Sequence, residues 1–205
     1  MNAGIMQLVF ATNNINKLRE IRNIMGNSFE LLSLKDLNIQ DDIPENEPTL
    51  EGNAMYKARY IHKMVNMNVF SDDTGLEIDF LDGLPGVHSA RFAGESKDPA
   101  KNIKKVLAMM GDATNRNARF RTVIALILNG SEYYFEGVSE GSIIREKRGD
   151  EGFGYDPVFV PSGDTRTFAE MSLEEKNNIS HRAKAFEKLN DFLSHYKFQD
   201  NKAKN

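Results

Sequence analysis

The chain has 205 residues, 30 acidic against 26 basic, a formal net charge of −4, 40% apolar content and no cysteine. That balance describes one globular domain rather than a disordered chain, and its acidic excess argues against broad binding to nucleic acid or anionic membranes. Without cysteine there is no disulfide framework, thiolate zinc site or cysteine nucleophile; Met1 to Phe10 lacks the pattern of a secretion signal and no apolar stretch approaches spanning length, so a cytoplasmic protein is expected.

QLVFAT (Gln7 to Thr12) reads as a short buried strand, and KLREIRNIMG as a helix with Leu18, Ile21, Ile24 and Met25 on one face and Gly26 closing it. The junction between them, ATNNINK, offers helix-terminal amides, asparagine side chains and Lys17 to an anion, although asparagine-rich turns also simply cap helices. The P-loop glycines are missing. After a strand around Leu31 to Leu34, the polar DDIPENEPT leads into a helix from Leu50 to about Asn66, striped by Ala54, Ala58, Ile61 and Val65. Asn53 and Lys57, four apart, face one place.

NVFSDD is the next strand, and LEIDFL a further, half-buried one, with Leu76, Ile78 and Phe80 inward and Glu77 and Asp79 wet. Adjacent Asp72 and Asp73 repel unless a cation reconciles them; with Glu45 they could supply oxygens to magnesium, which takes one or two protein carboxylates plus substrate phosphate oxygens. A solvated strand end is the alternative, and Asp41 and Asp42 read as exposed loop. Asp98-Pro99 starts a helix ending at Met110 and Gly111, and FRTVIALIL, Asn129-Gly130 and EYYFEGV form a type I′ hairpin.

GFGYDPVF suits a loop that lays an aromatic face on a flat ligand, although Tyr155 reads better as a core plug; VFV is a short strand. A capping box, Ser172 to Glu175, opens a short helix. The closing helix carries Ala183, Phe186, Leu189, Leu193 and Tyr196 inward, and a Ser180 cap places His181 and Arg182 in its first turn. Cations there oppose the helix dipole, a cost of roughly 0.3–1 kcal/mol that a bound anion or electron-rich ligand would offset; Lys176 adds a donor, and surface residues are the alternative. His62, His88 and His195 show no metal-ligand spacing. The whole predicts an α/β protein with a mixed sheet, residues 1–196 forming one domain and 197–205 a polar tail. Phosphate donors, acids for magnesium, an aromatic face and donors near a base together suit a nucleoside triphosphate.

In this order and spacing, LVFATNNINKLREI, TLEGNAMYKA, SDDTGLEIDFLDGLPGVHSARFAG, GFGYDPVF and EEKNNISHRA resemble the inosine triphosphate pyrophosphatase family, from about Leu8 to Leu193. The resemblance implies a long curved mixed β-sheet with flanking helices in two lobes, the active site in the cleft between them. It also implies a magnesium-dependent homodimer that hydrolyses ITP, dITP and XTP to the monophosphate and pyrophosphate, cleansing the nucleotide pool. By motif, Thr12, Asn13, Asn14 and Lys17 match the first phosphate loop, Lys57 the triphosphate-contacting lysine, and Glu45 and Asp73 the metal acids, with Asp72 in support. Asp73 also matches the proton acceptor, Thr74 a substrate contact, Phe153, Gly154, Tyr155 and Asp156 the base-stacking loop, and Lys176, His181 and Arg182 the base-reading cluster. Two departures stand out: Asn13 where many members have Gly, and Gly52 where many have Glu, a role Glu51 could fill. A related pyrimidine-directed Maf-type enzyme or a sensor without turnover are the rivals.

Overall fold

The structure is a computed structural model that describes residues 6–25 and 29–202. Strands β1 (Gln7–Phe10), β2 (Glu30–Ser33), β3 (Val69–Ile78), β4 (Pro85–Gly86), β5 (Asn117–Leu128), β6 (Ser131–Ile143) and β7 (Phe159–Pro161) form one sheet, ordered β2-β1-β3-β5-β6-β7 with β4 on β3. β1 runs parallel to β2 and β3, and the remaining pairs are antiparallel, so the sheet is mixed as expected. Helices α1 (Ile15–Ile24), α2 (Leu50–Val65), α3 (Pro99–Met110), α4 (Leu173–Asn177) and α5 (His181–Lys202) flank it. Most expected elements appear within a residue or two of their predicted ends, but the hairpin strands run longer, β5 starting at Asn117 and β6 ending at Ile143; Gly26, expected to close α1, lies outside the described residues.

Because successive strand side chains point to opposite faces, the sheet divides its core in two. Leu8, Phe10, Phe70, Ile124 and Leu126 pack against α1 and α5, with Phe10 stacked on Phe70 at 4.6 Å, whereas Val9, Val69, Ala125 and Ile127 pack against α2. A third cluster, around Leu76, Ile103, Phe120, Phe159 and Phe168, fills the far ends of the long strands beside α3 and forms the second lobe. The hairpin turn has Asn129 and Gly130 at φ 49° and 80°, the left-handed conformation a type I′ turn requires.

Three expectations change. NVFSDD and LEIDFL are one continuous ten-residue strand, β3. It ends at Ile78 because the turn residues that follow, Asp82 and Gly83 at positive φ, bring the chain back to pair β4 with Leu76 and Glu77. Phe80 therefore leaves the strand on a 3-10 turn and is 48% exposed. Secondly, α5 continues to Lys202 through most of the stretch expected as a tail; residues 203–205 lie outside the described residues. Thirdly, Glu77 is not simply wet: it accepts from Arg119 at 2.7 Å and Arg121 at 3.0 Å.

One glycine sets the position of α5. A Cβ on Gly137 of β6 would lie 2.0 Å from the His181 carbonyl oxygen and 2.4 Å from the Ala185 nitrogen, so the helix backbone rests directly on the strand. That contact carries His181 and Arg182 to their places. Among the described residues no helix is long and apolar enough to cross a membrane.

Candidate active site

A cleft of about 360 Å³ opens between the lobes, lined from one side by Thr12, Asn13, Asn14, Lys17, Glu45, Lys57 and Asp73, and from the other by Phe120, Phe153, Gly154 and Tyr155. Thr74, Asp156, Lys176, His181 and Arg182 complete its floor. The structure thus brings together all the predicted site residues except Asp72, which is not part of the lining.

The strand period explains that exception. Asp72 faces α1 and α5, where Arg182 Nε donates to Oδ2 at 3.1 Å and Lys17 Nζ stands 3.0 Å from Oδ1, an ion-pair contact off the hydrogen-bonding direction. Asp73 faces α2, where Lys57 Nζ donates to Oδ1 at 3.2 Å and Asn53 Nδ2 to Oδ2 at 3.2 Å. Neighbours in sequence, the two aspartates stand on opposite sides of the sheet, each with its own lysine, so no shared metal is needed to reconcile them. The expectation that Asp72 supports a metal gives way to an internal ion pair. Burial opposes its charge, but Lys17 and Arg182 outweigh burial and hold its pKa well below the ordinary carboxylate value.

Asp73 differs. Burial dominates, Lys57 counteracts it only in part, and its pKa lies above the ordinary value. Lys57 also donates to Glu45 Oε1 at 2.6 Å, so two carboxylates converge on one ammonium. Burial disfavours that ammonium, but Asp73 and Glu45 outweigh burial and raise its pKa. A cation centred between Glu45 and Asp73 is thus what this geometry already accommodates. Among the described residues no three carboxylate or imidazole side chains converge as a ready metal cage. Two hard oxygen ligands on a cleft wall nevertheless fit magnesium, which completes its shell from water and phosphate.

The first loop is more self-satisfied than its sequence implies. Asn14 caps α1, its Oδ1 accepting from the amides of Asn16 at 2.9 Å and Lys17 at 3.3 Å. Thr12 Oγ1 accepts from the Asn14 amide, and Asn13 Nδ2 donates to the Asp41 carbonyl at 2.8 Å. Two of the amides that an anion would have used are therefore taken by the cap. Asp41 is not free loop: its Oδ2 accepts from Tyr60 at 2.7 Å.

At the other end, His181 and Arg182 are 3% and 1% exposed, which excludes surface residues. The expected conflict with the helix dipole is resolved within the protein. Arg182 donates to Glu20 Oε2, Asp72 and Thr74 Oγ1, so carboxylates rather than a ligand offset its charge. Lys176 Nζ bridges Glu20 Oε1 and Asp156 Oδ2 at 2.7 Å each. Phe153 lies above both cations, 5.0 Å from Lys176 Nζ and 5.6 Å from the Arg182 guanidinium carbon. Asp156 holds that loop by accepting from the Phe153 amide at 2.8 Å. Tyr155 is the core plug: 4% exposed, its hydroxyl donates to the Ser89 carbonyl at 2.8 Å.

His181 stacks on Phe120, ring centroids 4.6 Å apart, and its buried Nδ1 has no hydrogen-bond partner. Burial first, then Arg182 and Lys176, push its pKa well below 6.5, so the ring is neutral. Below about pH 6.5 the unfolded chain takes up a proton here that the folded protein refuses, so stability falls with pH by up to about 1.4 kcal/mol per unit. Melting temperatures measured from pH 6.5 to 5.5 should show that slope, and His181→Leu should flatten it.

Sequence reasoning missed Glu20, although its place three residues after Lys17, beside the apolar stripe of α1, was a signal. It also missed Arg91, which donates to the Glu45 carbonyl. Glu51, considered for an acid's role, is held by Arg121 at 2.6 Å and does not line the cleft.

Fold and site define a two-lobed α/β protein with a charged cleft, acids and lysines at one end and an aromatic face over cations at the other. A family profile described as the Ham1 family matches residues 8–192. Proteins of Flavobacterium psychrophilum and Porphyromonas gingivalis, both named dITP/XTP pyrophosphatase, are 50% and 51% identical over 188 residues; the matches cover 92% and 91% of this chain and 99% and 97% of theirs. The solved Ham1 proteins of Staphylococcus aureus and Coxiella burnetii superpose with TM-scores of 0.84 and 0.85 at 37% and 38% identity, over 93% of this chain and 99% and 100% of theirs. The chain belongs to the Ham1 family.

Proposed function

We propose that this protein is a nucleoside-triphosphate pyrophosphatase that hydrolyses dITP, XTP and ITP between the α and β phosphorus atoms, releasing the monophosphate and pyrophosphate. The relatives named dITP/XTP pyrophosphatase support it at half identity over nearly the whole chain. The observation that carries it is the polarity of the cleft: Lys17, Lys57, Glu45 and Asp73 at one end, Phe153 over Lys176 and Arg182 at the other.

Phosphoryl transfer asks a protein mainly for positioning and charge neutralisation. Lys17 and Lys57 supply cations to the polyphosphate. Asp73 orients an attacking water; burial raises its proton affinity without metal, but a bound magnesium would lower it, so its main part is positioning rather than proton abstraction. Magnesium, held by Glu45 and Asp73, would neutralise phosphate charge when bound. At the base end Arg182 uses one N–H on each of three acceptors and Lys176 two of its own, and both retain further N–H groups. Those donors suit a 6-keto oxygen and meet no acceptor on the amino group of adenine, a mismatch that a site of buried polar groups rejects strongly. Neutral His181 adds one ring N–H.

Incubation with magnesium and dITP, XTP, ITP, dATP or dTTP, followed by phosphate analysis, tests the reading. Pyrophosphate from the keto purines supports it; turnover confined to pyrimidine substrates, or orthophosphate as the product, overturns it. Action as a homodimer in the cytoplasm completes the proposal, and sedimentation equilibrium at a single chain mass would refute its dimeric part.

A further inference from the structure

Glu45 lies in residues 39–47, a stretch without helix or strand, yet its carboxylate must sit opposite Asp73 on the rigid β3. Arg91, from the second lobe, crosses to it: Nη2 donates to the Glu45 backbone carbonyl and stands 3.7 Å from Oε2. The guanidinium thus grips the backbone while leaving Oε2 without a tight partner, and Oε1 rests on Lys57 at 2.6 Å.

Arg91 can serve as a fixed point because its own turn, Ser89–Arg91, is tied down on three sides. Ser89 Oγ accepts from the Leu76 amide of β3 at 2.8 Å and donates to the Gly86 carbonyl at 2.6 Å. Tyr155 Oη donates to the Ser89 carbonyl at 2.8 Å. Asn102 of α3 donates to the Ala90 carbonyl at 2.8 Å and accepts from the Ala93 amide at 2.7 Å.

Resting on the pyrophosphatase reading, we propose that Arg91 is the positioning residue of the metal subsite, a strap from the second lobe that holds Glu45 at the distance from Asp73 a divalent cation needs. Residues that orient metal ligands without touching the metal change affinity by about 10–100-fold when removed. Arg91 also brings positive charge near the carboxylate, which by itself would weaken cation binding. The two roles predict opposite signs, so the experiment separates them.

The measurement is binding of Mn²⁺ alone, and of Mn²⁺ with α,β-imido dITP, read as loss of free-ion electron paramagnetic resonance signal. Arg91→Ala should weaken binding about 10–100-fold. Arg91→Lys, which keeps one donor of similar reach, should restore most of it. In a Glu45→Gln background Arg91→Ala should change affinity less than about twofold, because the ligand it positions is gone. Tighter or unchanged Mn²⁺ binding in a folded Arg91→Ala protein overturns the proposal, as does full additivity with Glu45→Gln. If Arg91→Ala lowers the melting temperature so far that it cannot be assayed, Arg91→Met, which keeps the apolar stem but no donor, and its Glu45→Gln double variant decide by the same coupling. An unsubstituted protein that binds Mn²⁺ at Glu45 but hydrolyses no nucleotide refutes the functional reading and leaves this inference standing.

Discussion

Asp73→Asn is expected to lower turnover of dITP or XTP by about 10²–10⁴-fold while nucleotide binding survives. The amide preserves the shape and can keep a partner in Asn53, but it can neither take a proton from water nor ligate a cation as a charged oxygen. Lys57 retains Glu45, so the wall of the cleft should hold. Single-turnover rates with excess protein, set beside equilibrium binding of the α,β-imido analogue, check both halves. Turnover within threefold of the parent, on the order of 0.6 kcal/mol, would remove Asp73 from the chemistry.

The second large effect concerns stability. Arg182→Met leaves Glu20 with Lys176 and Asp72 with Lys17, each carboxylate buried and short of a partner. Removing one member of such a buried set costs about 3–5 kcal/mol, or roughly 6–20 °C in melting temperature at this chain length. The sign with pH follows from the carboxylates. Burial opposes the charge of Glu20 and of Asp72, but Arg182 with Lys176 or Lys17 outweighs it, and both folded pKa values lie below the unfolded ones. Their stabilisation is present above pH about 4 and is lost as pH falls through the depressed values. The deficit of Arg182→Met should therefore be largest near neutrality and shrink in acid. Thermal melts of both proteins at pH 7 and pH 3.5 measure it, and a deficit that is constant or grows in acid would contradict the ion-pair account.

Much of the site was legible because its parts are local. The cap at Asn14, the four-residue step from Asn53 to Lys57, the Asn129-Gly130 turn and the capping box at Ser172 each follow from chain geometry within a few residues, and each appears. Phe80 went astray because period-two alternation cannot see where a strand ends when the turn behind it pulls the chain back to β4. Phe153, Tyr155 and Asp156 entered together as one loop, but only Phe153 and Asp156 face the cations, since the Tyr155 ring is committed to the core.

By itself the sequence determined the family, the mixed α/β layout and the set of side chains that meet in the cleft, because motifs and periodicity are properties of short stretches read in order. Only the tertiary structure decided which carboxylate answers to which cation. Strand alternation sends Asp72 to Arg182 and Asp73 to Lys57, and chain folding joins Glu20 to residues 156 and 162 positions away. Charge pairing in a dry interior depends on distances of a few ångströms, which no spacing along the chain encodes.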